Sequence, residues 1–473
     1  MYIDGHWITD RDTFTVFNPA TGEKIGEVID GNASDARSAI DAADRASATW
    51  SSTTAYERSQ ILYRAHQLMM KEQSALAELM TTEQGKPLKA ANNEVKYAGD
   101  FLLWYAEEAK RIYGETIPSA RADQRFLVHK QPVGVVAAIT PWNYPISMIT
   151  RKLAPALAAG CTVVLKPAES TPLCAVAVIK LLEEAGLPPG VVNLITGRDP
   201  QPIGDEFCTN PKVKKLTFTG STAVGKALAQ KCAPQLKRVS MELGGHAPFI
   251  VFDDADPVHA AKGVSLVKFL NTGQACISPN RIFVQRSLLE PFLNTLSQRV
   301  SALKAGNGLH PENSIGPLIN ERALEKVEKQ VNDAIAKGAI LHAGGSRETG
   351  DGLDAGFFYS ATLLSNVNPE MIIYREETFG PVAAVIPFDN EDEVIDMAND
   401  THYGLAAYIY TNNLSRGLRV FEQLNFGIIG VNDINPTSAA APFGGMNESG
   451  LGREGAREGI NEYLETKLGG FSI

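Results

Sequence analysis

From Val133 onward the chain repeats a pattern that few folds accommodate: a short apolar run, a turn, a stretch with helical spacing, then another apolar run. The runs are residues 135–139, 162–165, 191–195 and 216–218. None shows the regular polar–apolar alternation of a strand with one face in water, so they read as strands covered on both faces. Residues 146–159 and 173–185 carry the three- and four-residue apolar spacing of helices. Gly186, Pro188 and Pro189 stop the second of these. Strand–helix–strand alternation at this spacing predicts an α/β fold built on a doubly wound parallel sheet.

A second alternating region runs from residue 249 to about residue 431, with strands expected at 282–284, 382–386 and 407–410 and helices at 322–337 and 391–399. It predicts a second α/β domain, as a length of 473 residues also requires. The first hundred residues read as mostly helical, over 33–50 and 56–85. No internal repeat or long linker separates the regions, so two closely packed domains with a sheltered cleft are expected. The formal net charge of −10 argues against a nucleic-acid or anionic-membrane partner. No stretch approaches the ~20 apolar residues of a membrane span. The opening MYIDGHWITD places Asp4 and Asp10 where a secretory signal needs a basic and then an apolar run. Five cysteines, an odd number with no CxxC pair, exclude a complete disulfide framework and fit a reducing compartment. A soluble cytoplasmic protein is expected.

One cysteine differs from the rest in its surroundings. Cys161 lies among packing residues in ALAAGCTVVL, whereas Cys276 lies in a polar, glycine-containing turn, Asn271-Thr272-Gly273-Gln274-Ala275-Cys276. A loop exposes a sulfur to substrate, and neighbouring N–H groups support a thiolate or an oxyanion. Asn143 sits between Pro141 and Pro145 just after a strand, either as an oxyanion donor or as the cap of the next helix. Glu242 precedes Gly244-Gly245 at a strand end, either as a desolvated base or as a surface carboxylate. Lys166-Pro167-Ala168-Glu169 follows a sheet strand, where open α/β folds place ligands, and its lysine and carboxylate suit the hydroxyls of a ribose. Phe218-Thr219-Gly220-Ser221-Thr222-Ala223-Val224-Gly225 opens a helix with free N–H groups suited to a pyrophosphate. Both segments also read as ordinary strand-to-helix turns. A literal GxGxxG spans Gly450 to Gly455, but with no preceding strand and no βαβ unit after it, it is set aside.

Taken together, these segments resemble the aldehyde dehydrogenase superfamily nearly end to end. The likeness runs from FNPATG at Phe17 through TPWNYP, LKPAE, FTGST, MELGG, GQAC with Asn280-Arg281, EETFGPV and PFGGMNESGLGREG. The resemblance implies a Rossmann-like cofactor domain (residues 1–118 and 136–243) and an α/β catalytic domain (244–434). It also implies a β-arm and tail for oligomerisation (119–135 and 456–473) and a return segment (435–455). It implies NAD as cofactor, with NADP possible, a small-molecule aldehyde as substrate, a homodimer or homotetramer, and no metal.

By the same resemblance, the Cys276 thiolate attacks the aldehyde, the Asn143 amide and the Cys276 N–H hold the oxyanion, and Glu242 activates water to release the acid. Lys152 stands near this chemistry. Lys166 and Glu169 hold the adenosine ribose, and Gly220, Ser221 and Gly225 flank the pyrophosphate. Glu377 and Phe379 position the nicotinamide end, with Thr140, Trp142 and Leu243 also on the cofactor side. Glu169 would bond a ribose 2′-hydroxyl and repel a 2′-phosphate, which favours NAD. Arg151, Tyr144 and Ser438 are assigned to the substrate.

Within the superfamily the likeness is strongest to succinic semialdehyde dehydrogenases, with Arg151 matching an arginine that contacts the substrate carboxylate. A second arginine of that group is Leu270 here, which removes a charge-assisted hydrogen bond. The alternative is a short hydroxyaldehyde or a sugar-derived or sulfonated aldehyde. Ser278 stands where some semialdehyde enzymes carry a second cysteine, so no redox switch of that type is expected. Glu242 argues against a coenzyme-A-acylating relative.

Overall fold

The computed structural model describes residues 1–473. An eight-stranded sheet carries the order Gly450–Leu451, Arg238–Glu242, Val213–Thr219, Val135–Ile139, Thr162–Lys166, Val192–Leu194, Tyr2–Ile3, His6–Trp7. Its five central strands are parallel, and the strands at either side of them are added antiparallel. Apolar cores lie on both faces, which is why the runs read from sequence lack alternation.

A seven-stranded sheet follows, ordered Ile340–Ala343, Thr362–Ser365, Val382–Phe388, Pro279–Gln285, Ala247–Val251, Ala406–Tyr410, Ile428–Val431. Only the outer pairing of Ile340–Ala343 is antiparallel. It too is covered on both faces. Residues Glu115–Ile117, Gln124–Pro132 and Leu464–Ser472 form a separate three-stranded sheet, in register from Leu464 opposite Pro132 to Ser472 opposite Gln124.

The N-terminal region departs from the helical reading. Tyr2–Ile3 and His6–Trp7 extend the first sheet, and Thr13–Phe17 pairs with Lys24–Ile29 as a hairpin. Phe14 and Val16 do alternate inward, but five residues are too few to register against the long helices that follow. Residues 56–85 are two helices, Ala55–Lys71 and Gln73–Gln84, the second closed by Gly85 at φ +92°. The strand at Val213–Thr219 is longer than expected because Lys215 interrupts its apolar run. That lysine is buried, with its ammonium 2.5 Å from Ser240 Oγ and 3.3 Å from Glu462.

The helix Ser147–Ala159 positions the site. All of its residues are buried, Arg151 and Lys152 included. Two cations on a fully buried helix demand anionic partners, because an unpaired interior charge costs several kcal/mol. The partner comes from the opposite end of the chain.

Candidate active site

Cys276 is half-buried where two cavities meet, while the other four cysteines are buried. The loop that carries it is held in a conformation its residues do not favour. Asn271 and Thr272 have φ of 50° and 59°, left-handed values that cost non-glycine residues on the order of 1–3 kcal/mol each. Side-chain bonds hold them there. Asn271 Nδ2 donates to the Asn143 carbonyl at 2.9 Å, and Thr272 Oγ1 accepts from Gly316 N at 2.9 Å. At Gly273 a Cβ would sit 2.1 Å from the Gly380 carbonyl oxygen, so only glycine lets the loop pass.

Asn143 is fixed from both sides. Its carbonyl accepts from the buried Lys86 ammonium at 2.6 Å, and its side-chain Nδ2 donates to Gln274 O at 3.0 Å. Lys86 is itself paired with the buried Glu94, whose Oε1 accepts from Ile146 N and Ser147 N at the start of the buried helix. The amide thus faces the thiol loop with one N–H committed and the other free.

The larger cavity, about 680 Å³, runs from Cys276 past Asn143, Trp142 and Phe379 to Gly220 and Ser221. Ser221 caps the helix Thr222–Cys232 without a side-chain bond, so its first-turn N–H groups remain available to an anion. Glu377 accepts from Gly245 N at 3.0 Å, and Trp142 meets Phe379 edge-on at 5.6 Å. A Cβ on Gly244 would lie 3.2 Å from both Glu377 Oε2 and Thr222 Oγ1, a cradle kept open by the missing side chain. Gly225 lines no cavity; it lets its helix settle on Leu243, whose Cδ2 would be 2.4 Å from an added Cβ. Lys166 and Glu169 bind each other at 2.5 Å, and Glu169 borders a neighbouring cavity of about 470 Å³ that shares Ile319 with the first. Thr140 is buried outside both, its N–H on the Lys166 carbonyl.

The smaller cavity, about 330 Å³, opens on the other side of Cys276 and is lined by Tyr144, Arg151, Leu270 and Phe443. Tyr144 lies under the Lys86 ammonium at 4.1 Å. Arg151 is 1% exposed, stacks on Phe443 at 3.9 Å and lies 2.9 Å from Glu454. Lys152 donates to the same carboxylate at 2.5 Å and to Thr217 Oγ1 at 3.1 Å, and it lines no cavity. Ser438, assigned to the substrate from sequence, is exposed and turns its Oγ to Ala440 N at 3.1 Å; Thr437 takes its place on the wall.

Glu454 is the functional candidate that sequence reasoning missed. It lies inside the discarded GxGxxG, whose Gly450–Leu451 is an edge strand beside Arg238–Glu242. The motif carries a carboxylate to two buried cations. An acidic residue beside Arg453 in a glycine-rich segment was the only signal.

Glu242 ends its strand buried, with Oε2 unpartnered, and in this conformation lines neither cavity. Burial and then the charge of Glu454 push its carboxyl well above the usual range. Burial likewise pushes the Cys276 thiol up to about 12, against the opposing charge of Arg151. Both shifts favour the uncharged forms.

A half-buried thiol between a dinucleotide-sized cleft and a small organic pocket, on two packed α/β sheets, defines a class before any comparison. The aldehyde dehydrogenase family model matches residues 7–468, and the chain belongs to that family. The chain is 50% identical to the NADP+-dependent succinate-semialdehyde dehydrogenase of Escherichia coli strain K12, covering 98% of this chain and 96% of that one. It is also 50% identical to the glutarate-semialdehyde dehydrogenase of Pseudomonas aeruginosa, covering 99% of this chain and 97% of that one. A solved E. coli NADP-dependent enzyme superposes with a TM-score of 0.97 at 49% identity, covering 100% of this chain and 98% of that one.

Proposed function

We propose that the chain oxidises a semialdehyde to the corresponding dicarboxylic acid with NAD(P)+, through Cys276. The observation that carries this reading is the position of the half-buried thiol at the junction of the two cavities, opposite an amide locked by its neighbours. The names of the relatives supply the substrate class.

The Cys276 thiol gives up its proton to water and, as thiolate, adds its Sγ to the aldehyde carbon, and the free Asn143 N–H donates to the oxygen that becomes negative. NAD(P)+, when bound, supplies the hydride acceptor. Trp142, Phe379 and Glu377 would hold its reactive end, and Gly220 with Ser221 would cradle the pyrophosphate. The thioester left on Cys276 is hydrolysed by water that gives its proton to Glu242, after the Glu242 side chain turns into the cavity. In sum, aldehyde, water and NAD(P)+ become carboxylate, NAD(P)H and two protons. Lys152 acts through Glu454 and does not touch substrate. Glu169, beside Lys166, favours NAD over NADP.

The exposed Leu127, Leu468 and Phe471 of the three-stranded sheet support its use in a homodimer or homotetramer. No helix is long and apolar enough to cross a membrane, and five free cysteines suit the cytoplasm.

The test is the rate of NAD(P)H formation from succinic and glutaric semialdehydes. Cys276→Ala abolishes turnover while cofactor still binds, and Asn143→Ala lowers kcat about 10²–10³-fold. Failure to oxidise any aldehyde with either cofactor would overturn the reading.

A further inference from the structure

Lys86, Lys152, Lys166 and Lys215 are buried, and each lies against a carboxylate. Lys268 is buried as completely, yet its one side-chain hydrogen bond goes to an amide, Asn280 Oδ1, at 3.4 Å. It ends the helix Pro257–Lys268, shortly before Cys276, and lines neither cavity. Burial pushes its ammonium down to about 7, against the charge of Glu377. An unpaired interior cation lowers stability, so packing does not explain this lysine.

The amide it faces stands between two loops of the cofactor side. Asn280 is buried, its Oδ1 also accepts from Thr378 N at 3.3 Å, and its Nδ2 donates to Gly245 O at 3.5 Å. Gly245 N in turn donates to Glu377 at 3.0 Å. The amide therefore clips the loop of Glu377, Thr378 and Phe379 to Gly244-Gly245, and both loops border the larger cavity. Such a clip works in one orientation only. Turned over, it would set Nδ2 against the Thr378 N–H and Oδ1 against the Gly245 carbonyl, donor on donor and acceptor on acceptor. An ammonium has donors and no acceptor, so beside Lys268 only the oxygen fits. Glu377 lies in the field of the same cation: burial raises its carboxyl, and the Gly245 N–H, then the charges of Lys326 and Lys268, oppose the rise.

We propose that Lys268 is a positioning residue for the nicotinamide end of the cofactor, acting through Asn280 to hold the loop of Glu377 and Phe379 in place. It touches neither cofactor nor aldehyde. The proposal rests on the cofactor reading given above, in which Glu377 and Phe379 hold that end. The lysine lowers stability and raises cofactor affinity, two effects of opposite sign that a packing residue would not combine.

The experiment measures two quantities without aldehyde: the Kd for NADH, from the fluorescence of the bound nicotinamide, and the melting temperature of the free chain. Lys268→Met keeps the length of the side chain and removes the donor and the charge. It is expected to weaken NADH binding about 10-fold, the effect of losing a hydrogen bond to a charged group, while the melting temperature stays the same or rises. With both substrates present, the KM for NAD+ rises and the KM for aldehyde does not. Asn280→Ala weakens NADH binding as well, and adding Lys268→Met to it brings little further loss, because the lysine acts through the amide. A Lys268→Met chain that binds NADH as the wild type does, one that melts lower or fails to fold, or losses that add in full in the double variant, each overturns the proposal. A wild-type chain that binds neither NADH nor NADPH sinks the cofactor reading instead.

Discussion

A Glu454→Gln substitution removes one negative charge from a place where two positive charges depend on it. Glu454 lies 2.9 Å from Arg151 and 2.5 Å from Lys152, and all three side chains are no more than 3% exposed. Glutamine keeps the shape and can still accept from Lys152, so the change isolates charge. Breaking a buried ion pair by removing one partner costs about 3–5 kcal/mol, against a folding margin of ~5–15 kcal/mol. At ~2.1 cal/mol/K per residue over 473 residues, the apparent melting temperature should fall by about 3–5 °C. The same substitution alters Glu242, whose carboxyl is raised by burial first and by Glu454 next, and lowered by Arg151 and Lys152. With Glu454 neutral only the lowering charges remain, so the Glu242 pKa falls. If Glu242 is the base proposed above, acting in its ionised form, the acid limb of the kcat/KM profile moves to lower pH. Thermal melts and pH–rate profiles measured on the single variant and on Glu454→Gln/Lys152→Met decide the matter. The second substitution removes the surplus cation and should recover part of the stability, with a coupling of ~0.5–3 kcal/mol. An acid limb that stays in place or moves up, or a double variant no more stable than the single, refutes this account of the charge balance.

Glu169→Ser frees Lys166 from its carboxylate and should lower the KM for NADP+ about 10-fold with little change in kcat, read from initial rates with each cofactor; an unchanged ratio of NADP+ to NAD+ use argues against the ribose assignment. Glu94→Gln leaves the buried Lys86 without its anion beneath the Asn143 carbonyl, and should lower kcat at least 10-fold with a smaller effect on the KM for aldehyde. Glu83 is buried, and burial raises its carboxyl to about 7 while its oxygens accept from Leu173 N and Cys174 N. Its proton is held more tightly in the folded than in the unfolded chain, so the contribution of Glu83 to stability declines as pH rises from about 4.5 to about 7. Relative to Glu83→Gln, the wild-type chain should lose about 3 kcal/mol across that window in denaturant titrations, and parallel curves would disprove the assignment.

What sequence made legible follows from how local each signal is. Four of the five central parallel strands of the first sheet carry an apolar run that reads with no information from elsewhere in the chain, whereas Arg238–Glu242, with Arg238, Ser240 and Glu242, carries none. Cys276 was legible through its loop composition, and the family likeness brought Asn143 and the cofactor residues with it. The edge strands at the N-terminus were not, because Tyr2–Ile3 and His6–Trp7 contain too few residues to show a period and are strands only by pairing with Val192–Leu194 and with each other. The pairing of Arg151 with Glu454 was not legible, because the two are about 300 residues apart and no local pattern reports a contact at that range. Ser438 and Thr437 are neighbours in an irregular segment, where nothing in the sequence says which of the two faces inward.

The same distance in sequence has a consequence for how activity depends on folding. Arg151, Lys152 and Glu242 are placed by the first sheet and its helix, but their compensating carboxylate arrives only after the second sheet is complete. The return segment then lays Gly450–Leu451 beside Arg238–Glu242. Until that edge strand pairs, two buried cations lack a counter-charge, and the helix Ser147–Ala159 cannot bury its whole surface without penalty. Closing the chain therefore does three things at once: it seals the helix, sets the protonation of Glu242, and seats Phe443 over Arg151 on the wall of the aldehyde cavity. A chain truncated before residue 450 would keep both sheets' central strands and Cys276, yet have neither a settled base nor a finished pocket. Charge compensation, more than strand pairing, is what ties the last segment of this chain to its chemistry.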